Sequence, residues 1–242
     1  YLALRLPEVG GTFLQAESEI ASINMVFGAA AAGARAMTSS SSPGISLMQE
    51  GISYLAGAEL PAVVVNIMRG GPGLGNISGA QGDYFQAVKG GGHGDYRNIV
   101  LAPASVQELA DLMVLAFDLA DKYRMVAMVL GDGYLGQMSE SLVLPSPSGL
   151  AVDKSGWVLS GARDREHRIL YSLRLFPEDA VEKINLRLQA KYQEVEAAEV
   201  RFEAHRAEDA EVLLVSFGLS SRICRAAIQT LRERGVRAGL FR

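Results

Sequence analysis

The chain has 242 residues, 49% of them apolar, and a formal net charge of −4 with both signs interspersed. That length holds one large domain, or one domain with part of another, and without a basic field the composition argues against nucleic acid as a partner. No run approaches the roughly 18 apolar residues of a membrane span, no basic segment leads an apolar one as in an export signal, and the single cysteine, Cys224, excludes an intrachain disulfide framework.

The chain opens on Tyr1, and LALRLP reads as the tail of a helix. TFLQA (12–16) reads as a short strand. From Glu19 to Ala34 the spacing of Ile20, Ile23, Phe27 and Ala30 or Ala31 predicts a helix that Gly33 ends. Ala36 to Thr38 reads as a strand and Ser39 to Gly44 as a turn. A second helix is expected over Ile45 to Ala58, with Leu47, Met48, Ile52 and Leu55 in phase. PAVVVNIM (61–68) is a continuous β-branched run suited to a strand covered on both faces.

Arg69 to Arg97 is glycine-rich, with a possible short helix over Ala80 to Val88. NIVLAP (98–103) is the next strand. Ser105 with Glu108 at capping-box spacing opens a helix to about Lys122, and MVAMVLGD (125–132) is another buried strand. The alternation is that of a doubly wound α/β fold with a mostly parallel sheet. Pro145, Pro147 and Gly149 break it, so the first domain is placed at 1–149. Residues 150–208 read as an extended crossover and a linker helix from Pro177 to His205, with Leu186, Leu188, Tyr192 and Val195 as its apolar residues. EVLLVSFG (211–218), the helix from Ser220 to Arg234 and a strand beginning in RGVRAGLFR read as the start of a second α/β domain over 209–242, and the two ends suggest a fragment or a chain with parts removed.

Four features bear on chemistry. Glu19 stands in a first helical turn, where an acid ordinarily supports the helix dipole. The small residues after it also permit a flat ring to approach, and a carboxyl shielded from water can share a proton with a ring nitrogen. IMRGGPGLGNISGAQG (67–82) is a glycine loop after a buried strand, at the end of the sheet where α/β proteins bind ligands. Its spacing, G-x-G-x-G, is not a dinucleotide fingerprint. Arg69 at its base suits a two-point clamp on a carboxylate, or else pairs with a surface acid. His93, between glycines in GGGHGD, is either solvated or a proton donor near neutrality. GDG (131–133) suggests the metal–diphosphate motif of thiamine diphosphate enzymes, but no Asn follows at the required distance; Asp132 reads as a strand-end residue, and no metal ligand set is expected. Cys224 reads as a small packed residue.

The stretches LPEVGGTFLQAESEIASINMVFGAAAAGARAMTSSSSPGISLMQEG, ELPAVVVNIMRGGPGLGN and QGDYFQAVKGGGHGDYRNIVLAP resemble the α subunit of the 2-oxoacid:ferredoxin oxidoreductases over nearly the whole chain. GGPGLGN and GGGHGDYR are closest to the 3-methyl-2-oxobutanoate (2-ketoisovalerate) type; the 2-oxoglutarate type tends to carry a GGPSTG-like loop. The resemblance implies a fold like the pyrimidine-binding domain of thiamine diphosphate enzymes. It implies that Glu19 bonds N1′ of the aminopyrimidine and acts in catalysis, that Ser41 and Ser42 line the cofactor, and that Arg69 meets the 2-oxoacid carboxylate; on this mechanism His93 is a candidate beside the substrate, assisting proton transfer. It further implies oxidative decarboxylation, with coenzyme A taking the acyl group. Mg2+ and the diphosphate-binding half would sit on a β subunit, with iron–sulfur clusters on γ and ferredoxin-like subunits. Ferredoxin would be the electron acceptor of a cytoplasmic hetero-oligomer. The family's YPITP-type motif and its C-terminal RPITLWPFP-like continuation are absent here. Three alternatives remain beside this reading: the α subunit of a 2-oxoglutarate:ferredoxin oxidoreductase, an assembly subunit of the same fold without cofactor, and an unrelated phosphate-handling α/β enzyme.

Overall fold

The computed structural model describes residues 1–242. After a short helix α1 (Leu2–Arg5) and a 3₁₀ turn (Pro7–Val9), the chain runs without regular structure to Ala16. The strand expected over TFLQA is therefore absent. Thr12 to Gln15 are exposed and meet no neighbouring strand, and a lone extended segment has no ladder to satisfy its backbone.

The first sheet is built from β1 (Met37–Ser40), β2 (Ala62–Met68), β3 (Ile99–Leu101) and β4 (Val126–Asp132), in the order β1-β2-β4-β3 with every pairing parallel. The two central strands are the two β-branched runs, and both are buried along almost their whole length. Helices cover both faces, so the sheet is doubly wound. On one face α2 (Glu19–Ala31) and α3 (Ser42–Gly57) bring Ile23, Ile45, Met48, Ile52 and Leu55 onto Val64, Met68, Met128 and Leu130. Ile20 and Leu47, expected among the apolar faces of these helices, are half exposed. On the other face α5 (Val106–Tyr123) and α7 (Ala180–Glu199) close over Val63, Val65, Ala127 and Val129.

Local signals explain the boundaries. Ser105 Oγ accepts the Glu108 amide at 3.1 Å and opens α5, while Glu108 reaches back to the Ala104 amide at 2.8 Å. The short helix α4 (Tyr84–Lys89) begins later than Ala80, and α6 (Gly133–Gln137) follows β4 directly. Helix α7 is shorter than expected and packs on the first sheet. Leu188 and Tyr192 are buried against the sheet, with Ile184 and Val195 beside them. Leu186 is 63% exposed, because two residues from Leu188 it projects from the opposite side of the helix.

Residues 204 and 205, expected in that helix, form β5 (Ala204–His205), antiparallel to β7 (Ala238–Phe241). With β6 (Val212–Val215) they make a second sheet in the order β5-β7-β6. Helix α8 (Gly218–Glu233) packs Ile228 on Ala238 and Leu240. This unit touches the first through polar links: Gln81 Nε2 donates to the Phe217 carbonyl at 3.0 Å, Ser220 Oγ donates to Gln81 Oε1 at 2.7 Å, and Arg242 pairs with Glu108. No helix is long and apolar enough to cross a membrane.

Candidate active site

The parallel strands deliver one cluster at the carboxyl end of the first sheet. Ser18, in extended backbone, caps α2 by accepting the Ala21 amide at 3.2 Å. That duty is thus not Glu19's, and the half-buried Glu19 carboxylate turns to the first turn of α3 instead. Its Oε1 accepts a long hydrogen bond from Ser40 Oγ, 3.4 Å away at the end of β1, and Oε2 has no protein partner. Close approach depends on Gly44: a Cβ there would lie 2.0 Å from Ser40 Oγ and 2.7 Å from Glu19 Oε1.

Ser41 is the N-cap residue of α3, yet its side chain makes no capping bond. Ser42 Oγ accepts the Arg69 amide at 3.0 Å and so joins α3 to the end of β2. Arg69 follows the last residue of β2 and bridges to Gly79 across the base of the glycine loop. Its Nε is buried without a hydrogen-bond partner. The surface ion pair that would have explained this arginine is not made. A desolvated guanidinium with unused donors is costly until an acceptor arrives.

The glycine loop is held in shape. Gly70 donates to the Ser78 carbonyl at 3.0 Å, and Asn76 donates to the Gly70 carbonyl at 2.9 Å. At Gly75 (φ +60°) a Cβ would fall 1.5 Å from the Gly70 carbonyl oxygen, so only glycine fits. Gly71 to Ser78 are exposed at the tip, with Leu74 and Ile77 outermost.

Two residues at this end were not singled out from the sequence. Asn66 is fully buried in β2, directly beside Ser40 in the register. Its Nδ2 donates to Asp83 Oδ2 at 2.9 Å, tying β2 to the residue that precedes α4, and its Oδ1 is left unpaired. The sequence did carry a signal: Asn66 is the one polar side chain in an otherwise apolar buried run.

His93 is not brought to this cluster. Its carbonyl accepts Ser53 Oγ at 2.6 Å, well along α3. Ser53 lies eleven residues past Ser42, or about 16 Å up the helix. The loop is seated there by Gly92 and Tyr96: the Tyr96 hydroxyl donates to Gln49 Oε1 at 3.0 Å and accepts the Gly92 amide at 3.1 Å. Burial pushes the Tyr96 phenol up, which keeps it a neutral donor. Asp132 is a strand-end residue, buried, with Oδ1 capping α6 at the Tyr134 and Leu135 amides. Cys224 is half-buried against the small core of the second unit, 3.5 Å from Ser216 Oγ.

The donor set suits the protonatable half of a flat heterocycle beside an anionic substrate. One carboxylate keeps an oxygen free, one guanidinium is unpaired, hydroxyls flank them, and the floor is glycine. Those residues fit the aminopyrimidine of thiamine diphosphate.

Comparison with known proteins gives the same direction. A family model described as "Pyruvate flavodoxin/ferredoxin oxidoreductase, thiamine diP-bdg" matches residues 2–203. The chain is 55% identical over 236 residues to the ketoisovalerate oxidoreductase subunit VorB of Methanothermobacter thermautotrophicus, covering 98% of this chain and 67% of that protein. It is 41% identical over 248 residues to the 2-oxoglutarate synthase subunit KorA of Archaeoglobus fulgidus, covering 100% and 70%. Among solved structures, a 2-oxoglutarate:ferredoxin oxidoreductase from Magnetococcus marinus with 2-oxoglutarate, coenzyme A and succinyl-CoA bound superposes with a TM-score of 0.84 at 28% identity, covering 100% of this chain and 47% of that one. The chain thus spans about two thirds of the curated relatives and about half of the solved chain.

Proposed function

Because this chain belongs to the pyruvate flavodoxin/ferredoxin oxidoreductase, thiamine diphosphate-binding family, we propose that it is the α-type subunit of a 2-oxoacid:ferredoxin oxidoreductase acting on 3-methyl-2-oxobutanoate. The observation that carries the reading is the pairing of a half-buried carboxylate on a glycine floor with an arginine whose buried Nε lacks a partner. The branched substrate is favoured over 2-oxoglutarate by the higher identity to the VorB relative, 55% against 41% for KorA.

Glu19 would hold and release a proton at the pyrimidine ring nitrogen, with Ser40 steadying its other oxygen. Ser41 and Ser42 would line the ring, and Ser42 is already fixed by the Arg69 amide. Arg69 would receive the 2-oxoacid carboxylate through two parallel hydrogen bonds and so orient the bond to be cleaved. Thiamine diphosphate, when bound, supplies the electron sink that cleavage needs. In this reading its diphosphate and Mg2+ are held by a β subunit, and coenzyme A is the acyl acceptor. Clusters on γ and ferredoxin-like subunits lead electrons to ferredoxin in a cytoplasmic hetero-oligomer. His93, seated far along α3, takes no part. In domain terms, residues 1–149 carry the pyrimidine half, 150–208 link, and 209–242 begin the second domain.

The test is the assembled complex, titrated with thiamine diphosphate and offered a panel of 2-oxoacids. Cofactor-dependent ferredoxin reduction fastest with 3-methyl-2-oxobutanoate is expected. A preference for 2-oxoglutarate would overturn the substrate assignment, and activity independent of thiamine diphosphate would overturn the function.

A further inference from the structure

The opposite end of the first sheet carries a second polar concentration that the reaction above does not use. Four cationic side chains gather where α3 ends and where β2 and β4 begin. Arg124 Nε donates to the Glu59 carbonyl at 2.9 Å, and its guanidinium lies 4.7 Å over the Trp157 ring. Arg174 Nη2 donates to the Gly57 carbonyl at 3.2 Å, and its guanidinium stands 5.5 Å from the Tyr171 ring centre. Arg187 and Lys191, from α7, both bind the Glu59 carboxylate.

Glu59 is the one acid that acts on Arg124 and Arg174. Four positive charges therefore share a single carboxylate and the terminal carbonyls of α3. Burial, and then the charge of Arg187, hold the Arg174 guanidinium below its ordinary basicity. Arg174 Nη1 is buried with no hydrogen-bond partner. Arg124, Arg174 and Arg187 line a cavity of about 270 Å3 together with Glu59, and its rim, Ile169 and Tyr171, is open to solvent. Bonding the Glu59 and Gly57 carbonyls occupies one donor on each of Arg124 and Arg174, and an arginine has five. The surplus of charge, the unmatched donor and the cavity call for an acceptor carrying negative charge.

We propose that this cavity is a binding site for a phosphate group, held by Arg174 and Arg187 with Arg124 behind them. Guanidinium forks match phosphate oxygens in pairs, and partial burial keeps such contacts from being screened. Ligand there would add a common link among three segments: the end of α3, the crossover that Arg174 already ties to Gly57, and α7, which Arg187 and Lys191 tie to Glu59. The site lies at the amino end of β2, about 20 Å along the strand from Arg69.

The experiment is calorimetric titration of the assembled enzyme, saturated with thiamine diphosphate and coenzyme A, at fixed ionic strength. The probes are inorganic phosphate, pyrophosphate and AMP. Saturable binding of one probe per chain is expected, weakened about tenfold or more by Arg174→Gln and by Arg187→Gln. Binding of the inorganic probes marks a free phosphate as the natural ligand, and binding of AMP alone marks a nucleotide. Arg187 is exposed on α7, so Arg187→Gln decides the matter if Arg174→Gln does not fold. No saturable binding by any probe, or affinity unchanged in the folded variants, overturns the site.

Discussion

Helix α3 has a glutamate at each end, and the two are treated in opposite ways. Glu19 leans on its first turn with one long bond from Ser40 and a free oxygen. Glu59, two residues past its end, is buried and gripped by Arg187 and Lys191. Burial pushes the Glu59 carboxyl up, but those cations outweigh it and hold the group below the usual carboxylate range. One acid has had its interactions completed by the chain itself, and the other has been left incomplete. The difference separates a carboxylate whose partners the chain supplies from one that keeps an oxygen free.

The largest expected effect falls at the completed end. Glu59→Gln leaves the largely buried Lys191, and the exposed Arg187 beside it, without their counter-charge and should cost about 3 kcal/mol of stability, read as a fall in denaturant midpoint. The pH dependence has a definite sign. Because the folded carboxyl is more acidic than the unfolded one, wild type should keep its advantage over this variant above about pH 4.3 and lose it as pH falls further, toward and through the lowered folded value. An advantage that did not shrink as the pH fell below about 4.3 would contradict the depressed pKa.

At the other end the losses should appear in turnover. Glu19→Gln is expected to cut kcat of the assembled enzyme by about 10²-fold or more, with melting temperature unchanged. A variant that melts early but turns over normally would reverse the comparison. Arg69→Ala should raise KM for the 2-oxoacid by about tenfold or more, the worth of a charge-assisted hydrogen bond. Unchanged KM and kcat would reject the clamp. Smallest of all, Ser40→Ala removes only one weak bond to Glu19 and should change kcat by a few-fold, since a neutral hydrogen bond contributes about 1 kcal/mol.

Much of this was legible before the coordinates. Continuous β-branched runs marked the two central strands, and they are central because both of their faces are covered. Glu19 and Arg69 could be named from local motif, Ser41 and Ser42 only through the family resemblance, and all four lie around one helix terminus. Misreadings share a cause. TFLQA has strand composition but no partner, and pairing is not written in a segment's own residues. The seat of the loop that carries His93, set by Tyr96 and Gln49, was equally hidden, because it rests on contacts between distant positions. Ala204 and His205 look helical in their own neighbourhood and are recruited into a sheet by Phe241 and Leu240.

The missing side chain at Gly44 has an evolutionary consequence. A methyl group there would strike the Ser40 hydroxyl first and the Glu19 carboxylate next, two side-chain ends that can turn away. Replacement by alanine would leave a folded protein whose acid points elsewhere. Position 44 is thus a silent gatekeeper: a library randomised at that codon, selected for growth on the enzyme's product, should return glycine alone, although every other observable of the protein tolerates alanine.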